Sequence, residues 1–423
     1  MSIQLDISPL GVRLTRFTLG NRVRFIPQDS NTLKPIIALS IYEAYLSKKF
    51  SSHNTVYSDL QNVCYLIAWA RQSNIDINSI LLQGEMLETK QVNLYSAWLN
   101  TRGKLHNHEP LSNGTINKAL TSASKLFRWF SEQYASIPGH TIIERSINLE
   151  LYKKSIKHRF SENRKKDRKK KSADDLSDEE IKKIQEFLKP ENRCAKNPKL
   201  SLAQAIRDYL IWRLAIEFGL REGEILALRY EDCPHQHKDH ISIVRIEDRE
   251  DDLIDPRGKY APRPKTLSRE LGFILKNSPV RHLITEYISK YRRRSVIKHG
   301  KKIFEYIVDH SFLILSHRHD HGNPLSISSM QNLSQTIASG TGIDHFHWHL
   351  CRHAFFNRSY AAIIDFKEKD SELYKDRLED LIYWGGWESK KSLQLYINRA
   401  RRERAKSALT FYQTGQSEWE ALT

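Results

Sequence analysis

Residues 152–175 read YKKSIKHRFSENRKKDRKKKSADD, a stretch with eleven Lys or Arg, no aliphatic core and a closing Asp pair. A segment of that charge cannot lie inside a packed interior, so it constrains the chain to fold as separate bodies on either side of it. A length of 423 residues allows two or three such bodies, each able to bury its own core. Upstream, the apolar positions recur at helical spacing: Leu60, Val63, Cys64, Ile67, Ala68 and Ala70 within 57–75, and Ile116, Ala119, Leu120, Leu126, Phe127 and Phe130 within 113–135. Downstream, LSDEEIKKIQEFL (176–188) carries a capping box, with Ser177 as N-cap, Glu180 at N3 and a staple from Leu176 to Ile181. The expected organisation is an N-terminal extension of unknown role over 1–50, a helical body over 51–150, a basic linker over 151–175, a larger body over 176–410 and a tail over 411–423.

The composition, 39% hydrophobic and 28% charged, is that of a globular protein, and the formal charge of +17 points to a polyanionic partner. No run of 18 apolar residues exists and MSIQLDISPLG lacks a signal-peptide core, so the reading is a cytoplasmic, nucleoid-associated protein without a membrane partner. Cys64, Cys194, Cys233 and Cys351 lack paired spacing and read as reduced thiols.

The chemistry concentrates in the last half. In HFHWHLCRHAFF (345–356), His349, Arg352 and His353 stand at i, i+3 and i+4, which places them on one face of a helix, read as cationic and rich in donors. In YWGGWESKKSLQLYINR (383–399), Trp387 and Tyr396 follow a Gly-Gly turn, and a mostly polar helical pattern carries the tyrosine. In LAIEFGLREGEILALRYED (214–232), Gly219 reads as a helix stop and Arg221 opens the next helix. A phosphodiester transition state concentrates charge on two free oxygens, and the forked guanidinium groups of Arg221 and Arg352 suit it better than point charges. A phenol of ordinary pKa about 10 is a weak nucleophile at neutral pH, so Tyr396 needs a base, His349 or His353. An expelled sugar oxygen needs a proton, which Lys265 of PRPKTLSRELGF can supply. Read singly, Arg221 can equally be a capping partner, Arg352 a buried structural arginine and Tyr396 a half-buried core tyrosine.

At these residues the chain resembles the tyrosine recombinase, or phage integrase, family over about 176–399. FGLREGEILALRY matches the box of the family's first arginine at Arg221, with Glu224 three residues on, and HLCRHAFFN matches the second box at His349 and Arg352. GGWESKKSLQLYI matches the third, with Trp387 at a position the family fills with His or Trp and Tyr396 on the nucleophile; KTLSREL matches the hairpin lysine at Lys265. The stretch EDREDDLIDPRGKYAPRPK before it is longer and more acidic than most hairpins of the family, and Lys259 is the second candidate for the acid.

The resemblance implies a mainly α fold with a small antiparallel β-sheet in the catalytic domain, arranged as a two-domain clamp on double-stranded DNA. It implies attack by Tyr396 to leave a 3′-phosphotyrosyl link, with Arg221 and Arg352 on the phosphate, His349 as base, Trp387 packing and donating to the phosphate, and Glu224 and His353 in support. Neither ATP nor a metal is implied, and four protomers would act in pairs, with accessory recombination proteins as further partners. With both flanking domains expected on DNA, Lys165, Lys166, Arg168, Lys169, Lys170 and Lys171 of the linker are expected to cross phosphates. The length favours an integrase or transposition enzyme of a mobile element. A type IB topoisomerase and a non-catalytic DNA-binding protein of the same fold remain as alternatives. The histidine-dense strings CPHQHKDH, SHRHDH and HFHWH allow a structural zinc as a competing reading, but none shows a familiar ligand spacing. The tail carries Phe411, Tyr412, Trp419 and Leu422, expected to dock on a neighbouring protomer or to fold back on its own domain.

Overall fold

In the computed structural model the described residues are 11–19, 22–50, 53–102, 111–166, 175–234, 238–249, 255–258, 261–262, 264, 266–272, 277–298, 301–317, 322–364, 366–394, 396–397, 400–402, 404–406 and 409–410. The chain divides into two units, Met1–Lys170 and Lys171–Thr423.

In the first unit RLTRFTLGNRVRFIP (13–27), whose loose alternation suits a strand pair, lies in β1 (Val12–Leu19) and β2 (Arg22–Asp29), antiparallel from Val12 opposite Asp29 to Leu19 opposite Arg22. Among the described residues six helices follow: α1 (Ile37–Lys49), α2 (His53–Gln72), α3 (Ile77–Leu82), α4 (Thr89–Arg102), α5 (Asn113–Tyr134) and α6 (Ile142–Glu162). The Ser112 hydroxyl accepts from Thr115 N–H to cap α5, whose Ile116, Ala119, Leu120, Ala123, Phe127 and Phe130 all face the interior. Residues read as a separate extension share this interior: Val12, Leu14 and Phe25 of the hairpin pack in one core with Leu39 and Leu46 of α1 and Leu60 and Val63 of α2. A half-buried ion pair adds to it, with Arg24 forking onto the buried Glu43 at 2.9 and 2.7 Å. Burial alone would raise the Glu43 pKa, but the donors from Arg24, Ser47 and Phe25 N–H hold it below the usual carboxylate value.

The linker reading needs correction at its start. Residues 151–162 are the last turns of α6, a helix opened by a capping box between Thr141 and Glu144. The charge run hides Ile156 and Phe160, four residues apart, which are buried, with the Phe160 ring 5.8 Å from that of Phe127. Lys165 and Lys166 are held at the backbone, their carbonyls accepting from Asn117 and Asn113. Arg168, Lys169, Lys170 and Lys171 lie outside the described residues.

The second unit opens with the capping box of Ser177 and Glu180 on α7 (Asp178–Leu188), with both members of the staple, Leu176 and Ile181, buried. The chain continues through α8 (Pro190–Lys196), α9 (Leu202–Phe218), α10 (Glu222–Ala227), β3 (Ile241–Ile243), β4 (Arg269–Leu271), α11 (Pro279–Glu286), β5 (Arg293–Lys298), β6 (Lys301–Ile307), α12 (Ile327–Thr341), α13 (Trp348–Ile364), α14 (Phe366–Lys369), α15 (Ser371–Gly385) and α16 (Lys390–Gln394). Strand β3 pairs with β4 and β5 with β6, both antiparallel, so among the described residues the fold is mainly helical with three two-stranded sheets. Among them no helix is long and apolar enough to cross a membrane.

Two expected elements are shorter than their patterns. HISIVRI (240–246) alternates as a strand does, but only Ile241–Ile243 forms one, because β4 offers three partners and Arg245 N–H turns to the Ser268 hydroxyl. VRHLITEYISKYRRR (280–294) has the pattern of one helix with a basic end, but the α-helix ends at Glu286, passes through a π-helical turn at Tyr287–Tyr291 and gives way to β5. Tertiary anchors override helical propensity there. Tyr287 is buried with its hydroxyl accepting from Leu315 N–H, and Arg292 Nε donates to Phe312 O while its guanidinium lies 4.7 Å from the Tyr230 ring centroid.

Candidate active site

Helix α9 stops at Gly219, whose φ of +61° is the left-handed turn that glycine favours. A β-carbon there would also come within 2.6 Å of the Phe355 ring on α13. Gly219→Ala is therefore expected to lose about 2–4 kcal/mol from combined backbone strain and overpacking, read as a lower midpoint of chemical unfolding.

The turn delivers Arg221 to the N-terminus of α10 with its side chain 26% exposed. Its backbone N–H donates to Glu224 Oε2 at 2.9 Å and its Nη1 to Oε1 at 3.4 Å. Glu224 is 1% exposed and receives Arg269 Nη2 at 3.1 Å, the Thr266 hydroxyl, and Arg352 Nη1 at 3.9 Å. Burial pushes its pKa up, but Arg269 and Arg352 pull harder and bring it down to about 2, so it stays a carboxylate.

Helix α13 carries the other cation. Arg352 is 0% exposed and bridges two chain segments, Nη1 donating to Gly219 O at 2.7 Å and Nη2 to Gly385 O at 2.6 Å. Its guanidinium lies 4.8, 5.1 and 5.4 Å from the ring centroids of Phe356, Trp387 and Tyr396. Burial and the neighbouring Arg221 press its pKa below the ordinary arginine value, yet an arginine remains charged at neutral pH. Among the described residues Nε of this buried group has no hydrogen-bond partner.

His349 and His353 sit one turn apart on the same helix, as the spacing predicts, with rings 5.0 Å apart. Burial, together with repulsion of the protonated form by Arg352 and by a neighbouring imidazole (His353 for His349, His347 for His353), lowers both pKa values to about 4. Both are thus neutral at pH 7. The face read from the sequence as cationic owes its charge there to Arg352 alone.

The tyrosine arrives differently from its pattern. Helix α16 ends at Gln394, and Tyr396 lies in the turn beyond it, its N–H bonded to Leu393 O at 2.9 Å. Aromatic packing holds it: its ring is 4.5 Å from His353, 4.9 Å from Trp387 and 5.8 Å from Phe356. Tyr396 is 7% and Trp387 8% exposed. The Tyr396 hydroxyl stands 3.2 Å from His349 Nε2, so of the two candidate bases His349 is the one at hydrogen-bonding distance, while His353 stacks on the ring. The structure thus brings Arg221, Glu224, His349, Arg352, His353, Trp387 and Tyr396 together. Lys265 and Lys259 lie outside the described residues, as does the tail over 411–423.

A cleft of about 530 Å³ opens beside this group, between Arg221 and Gly223 of α10, Gln331 and Gln335 of α12, and His347 and His349. Among the described residues no group of three His, Cys, Asp or Glu is placed to hold a metal ion, and most histidines of CPHQHKDH and SHRHDH fall outside them. All four cysteines are free. Sequence reasoning missed Arg269 and Thr266, although both stand in KTLSREL; only the lysine of that string suggested chemistry.

Residues 175–368 match the model of the phage integrase family. This segment belongs to that family. The integrase segment contains Arg221, Glu224, His349, Arg352 and His353 and ends before Trp387 and Tyr396, which join it through the packing just described. No curated protein sequence matches the chain. Among solved structures it is similar to XerA recombinase (15% identity, covering 88% of this chain and 98% of that one, TM-score 0.34). It is also similar to XerH site-specific recombinase bound to palindromic difH substrate in a post-cleavage complex (14%, 89% and 96%, 0.49) and bound to difH substrate in a pre-cleavage complex (14%, 88% and 94%, 0.39).

Proposed function

We propose that the protein is a tyrosine-type site-specific recombinase that cuts and rejoins double-stranded DNA through a 3′-phosphotyrosyl intermediate, in the service of a mobile element. The observation that carries this reading is the Tyr396 hydroxyl at 3.2 Å from His349 Nε2, with the Arg352 guanidinium 5.4 Å from the same ring. Tyr396 Oη would bond to phosphorus while the bond from phosphorus to the 5′-oxygen breaks. His349 would take the phenol proton, Arg221 and Arg352 would hold the non-bridging oxygens, Trp387 would pack beside the phosphate, and Lys265, or Lys259 in its place, would protonate the departing 5′-oxygen. The ester keeps the bond energy, so attack by a 5′-hydroxyl from a partner strand reverses the step without ATP.

The formal charge of +17 supports DNA as the partner. The proposed arrangement has the first unit and the lysine-rich segment from Lys165 to Lys171 following the backbone, with four protomers acting on two sites, aided by accessory proteins and associated with the nucleoid. The test is to sequence DNA trapped covalently on the protein in cells, rebuild that site as a nicked suicide duplex, and map the adduct by mass spectrometry. An adduct on Tyr396 is expected; none, or one on another residue, overturns the reading.

The pH dependence follows from the histidine. His349 accepts the proton only when neutral, and its pKa falls from 6.5 to about 4 in the folded chain. Cleavage is expected to hold from neutral pH down past 6.5 and to fall only as the pH drops toward 4. The same sign governs stability. A histidine with a lowered folded pKa stabilises the fold above its unfolded value, and that contribution is lost as pH falls through the window. An acid limb of the rate profile centred at or above 6.5 would remove His349 from the role of base.

A further inference from the structure

Arg269 is 5% exposed, and each of its three nitrogens serves a different part of the second unit. Nε donates to Trp384 O of α15 at 2.7 Å, Nη1 to the Thr266 hydroxyl at 3.0 Å and Leu267 O at 3.3 Å, and Nη2 to Glu224 Oε2 at 3.1 Å. Backbone contacts close the same junction, since Leu267 N–H donates to Gly386 O at 3.3 Å. Gly386 has φ +59°, and a β-carbon on it would lie 2.8 Å from Thr266 Cβ and 2.9 Å from Arg269 Nη1. Thr266 and Leu267, which follow Lys265 in the sequence, are thus pinned to the turn that delivers Trp387 and to the carboxylate shared by Arg221 and Arg352.

A counter-ion for buried Glu224 would need only the Nη2 contact. The bond to Trp384 O serves no charge on Glu224; with those to Leu267 O and to the Thr266 hydroxyl, which itself donates to Glu224, it joins two segments distant in sequence. A planar fork reaches all these partners at once, and a lysine ammonium cannot. We propose that Arg269 is a positioning residue coupling the lysine-bearing approach to β4 to the tyrosine-bearing segment after α15, so that proton donor and nucleophile reach the phosphate in register. The inference rests on the cleavage reading above.

The test uses the full chain and the captured site as a suicide duplex, made once with the ordinary 5′-bridging oxygen and once with a 5′-bridging sulfur that departs without a proton. Adduct formation by Arg269→Met is expected to slow about 100-fold with oxygen and about tenfold or less with sulfur, because misplacing the acid matters only where the leaving group needs one. Thr266→Val keeps the Arg269 to Glu224 pair while removing the hydroxyl that bonds both of them, and is expected to shift the ratio the same way by a smaller factor; the oxygen-to-sulfur ratio, which a lost Glu224 contact alone would not move, decides the matter if Arg269→Met fails to fold. Arg269→Lys, which retains charge but not the fork, is expected to resemble Arg269→Met. Equal losses on both substrates, or no loss, would reduce Arg269 to a structural counter-ion and overturn the coupling. Wild-type protein that forms no adduct on either substrate would instead overturn the cleavage reading, and the coupling with it.

Discussion

Tyr396→Phe is expected to form no covalent adduct on a nicked suicide duplex while binding that duplex as the wild type does. The variant removes one oxygen and keeps the ring that packs against His353, Trp387, Phe356 and Arg352. Among the described residues that hydroxyl is hydrogen-bonded only to His349, itself partly open to solvent, so the stability change should stay within about 1 kcal/mol. Loss of adduct therefore cannot be assigned to loss of fold. The phenol oxygen is the sole group proposed to bond phosphorus; of its described neighbours, the imidazole of His353 lies tilted against the ring, and Cys351 is fully buried with its thiol pKa pushed up by burial. Circular dichroism, a half-site binding titration and denaturing electrophoresis of the reaction check the three parts. An adduct that survives denaturant in this variant would show that another side chain attacks.

The sequence made the helical parts of the site legible because helices keep local periodicity. The spacing of His349, Arg352 and His353 needs only a helix to bring them onto one face, and Gly219 before Arg221 carries its own stop signal in the backbone. What periodicity cannot express is where a helix yields to a distant contact. Tyr396 reads as helical, yet four aromatic neighbours hold it in the turn past α16. The helix read through 294 yields in the same way to Tyr287 and Arg292, whose partners lie some twenty or more residues downstream. Ile156 and Phe160 were hidden by the lysines around them, because a mean charge over a window says nothing about two apolar residues four apart on one face. Arg269 was illegible for a third reason. One more arginine in a basic chain is unremarkable until the structure places Glu224, Trp384 and Thr266 around it. Charge state was misjudged by the same limitation, since only packing reveals that both histidines of α13 are pressed neutral.

Arg352→Met should cost both stability and chemistry, whereas Arg221→Met should cost chemistry almost alone. Arg352 is wholly buried and its two terminal nitrogens satisfy Gly219 O and Gly385 O, so a thioether leaves two interior carbonyls unpaired and takes one cation from beside Glu224. Breaking a buried charge network of this kind costs about 3–5 kcal/mol, and the loss should appear as an earlier unfolding transition of the second unit. Arg352→Lys restores charge, but one ammonium cannot meet carbonyls that the fork reaches with separate nitrogens, so it should recover less than half of the loss. Arg221 is different because its side chain is 26% exposed and its longer contact to Glu224 is 3.4 Å, while the 2.9 Å bond to that carboxylate comes from its backbone and survives substitution. Its replacement should therefore move the unfolding midpoint by less than about 1 kcal/mol. For adduct formation the two should converge, each falling by about 10²–10³ through loss of a preorganised donor to the phosphate. Chemical unfolding followed by tryptophan fluorescence, beside adduct rates on the same preparations, separates the two effects. An Arg352→Met protein as stable as wild type would mean that its two carbonyl contacts contribute nothing, and an Arg221→Met protein that cleaves normally would remove that residue from the phosphate site.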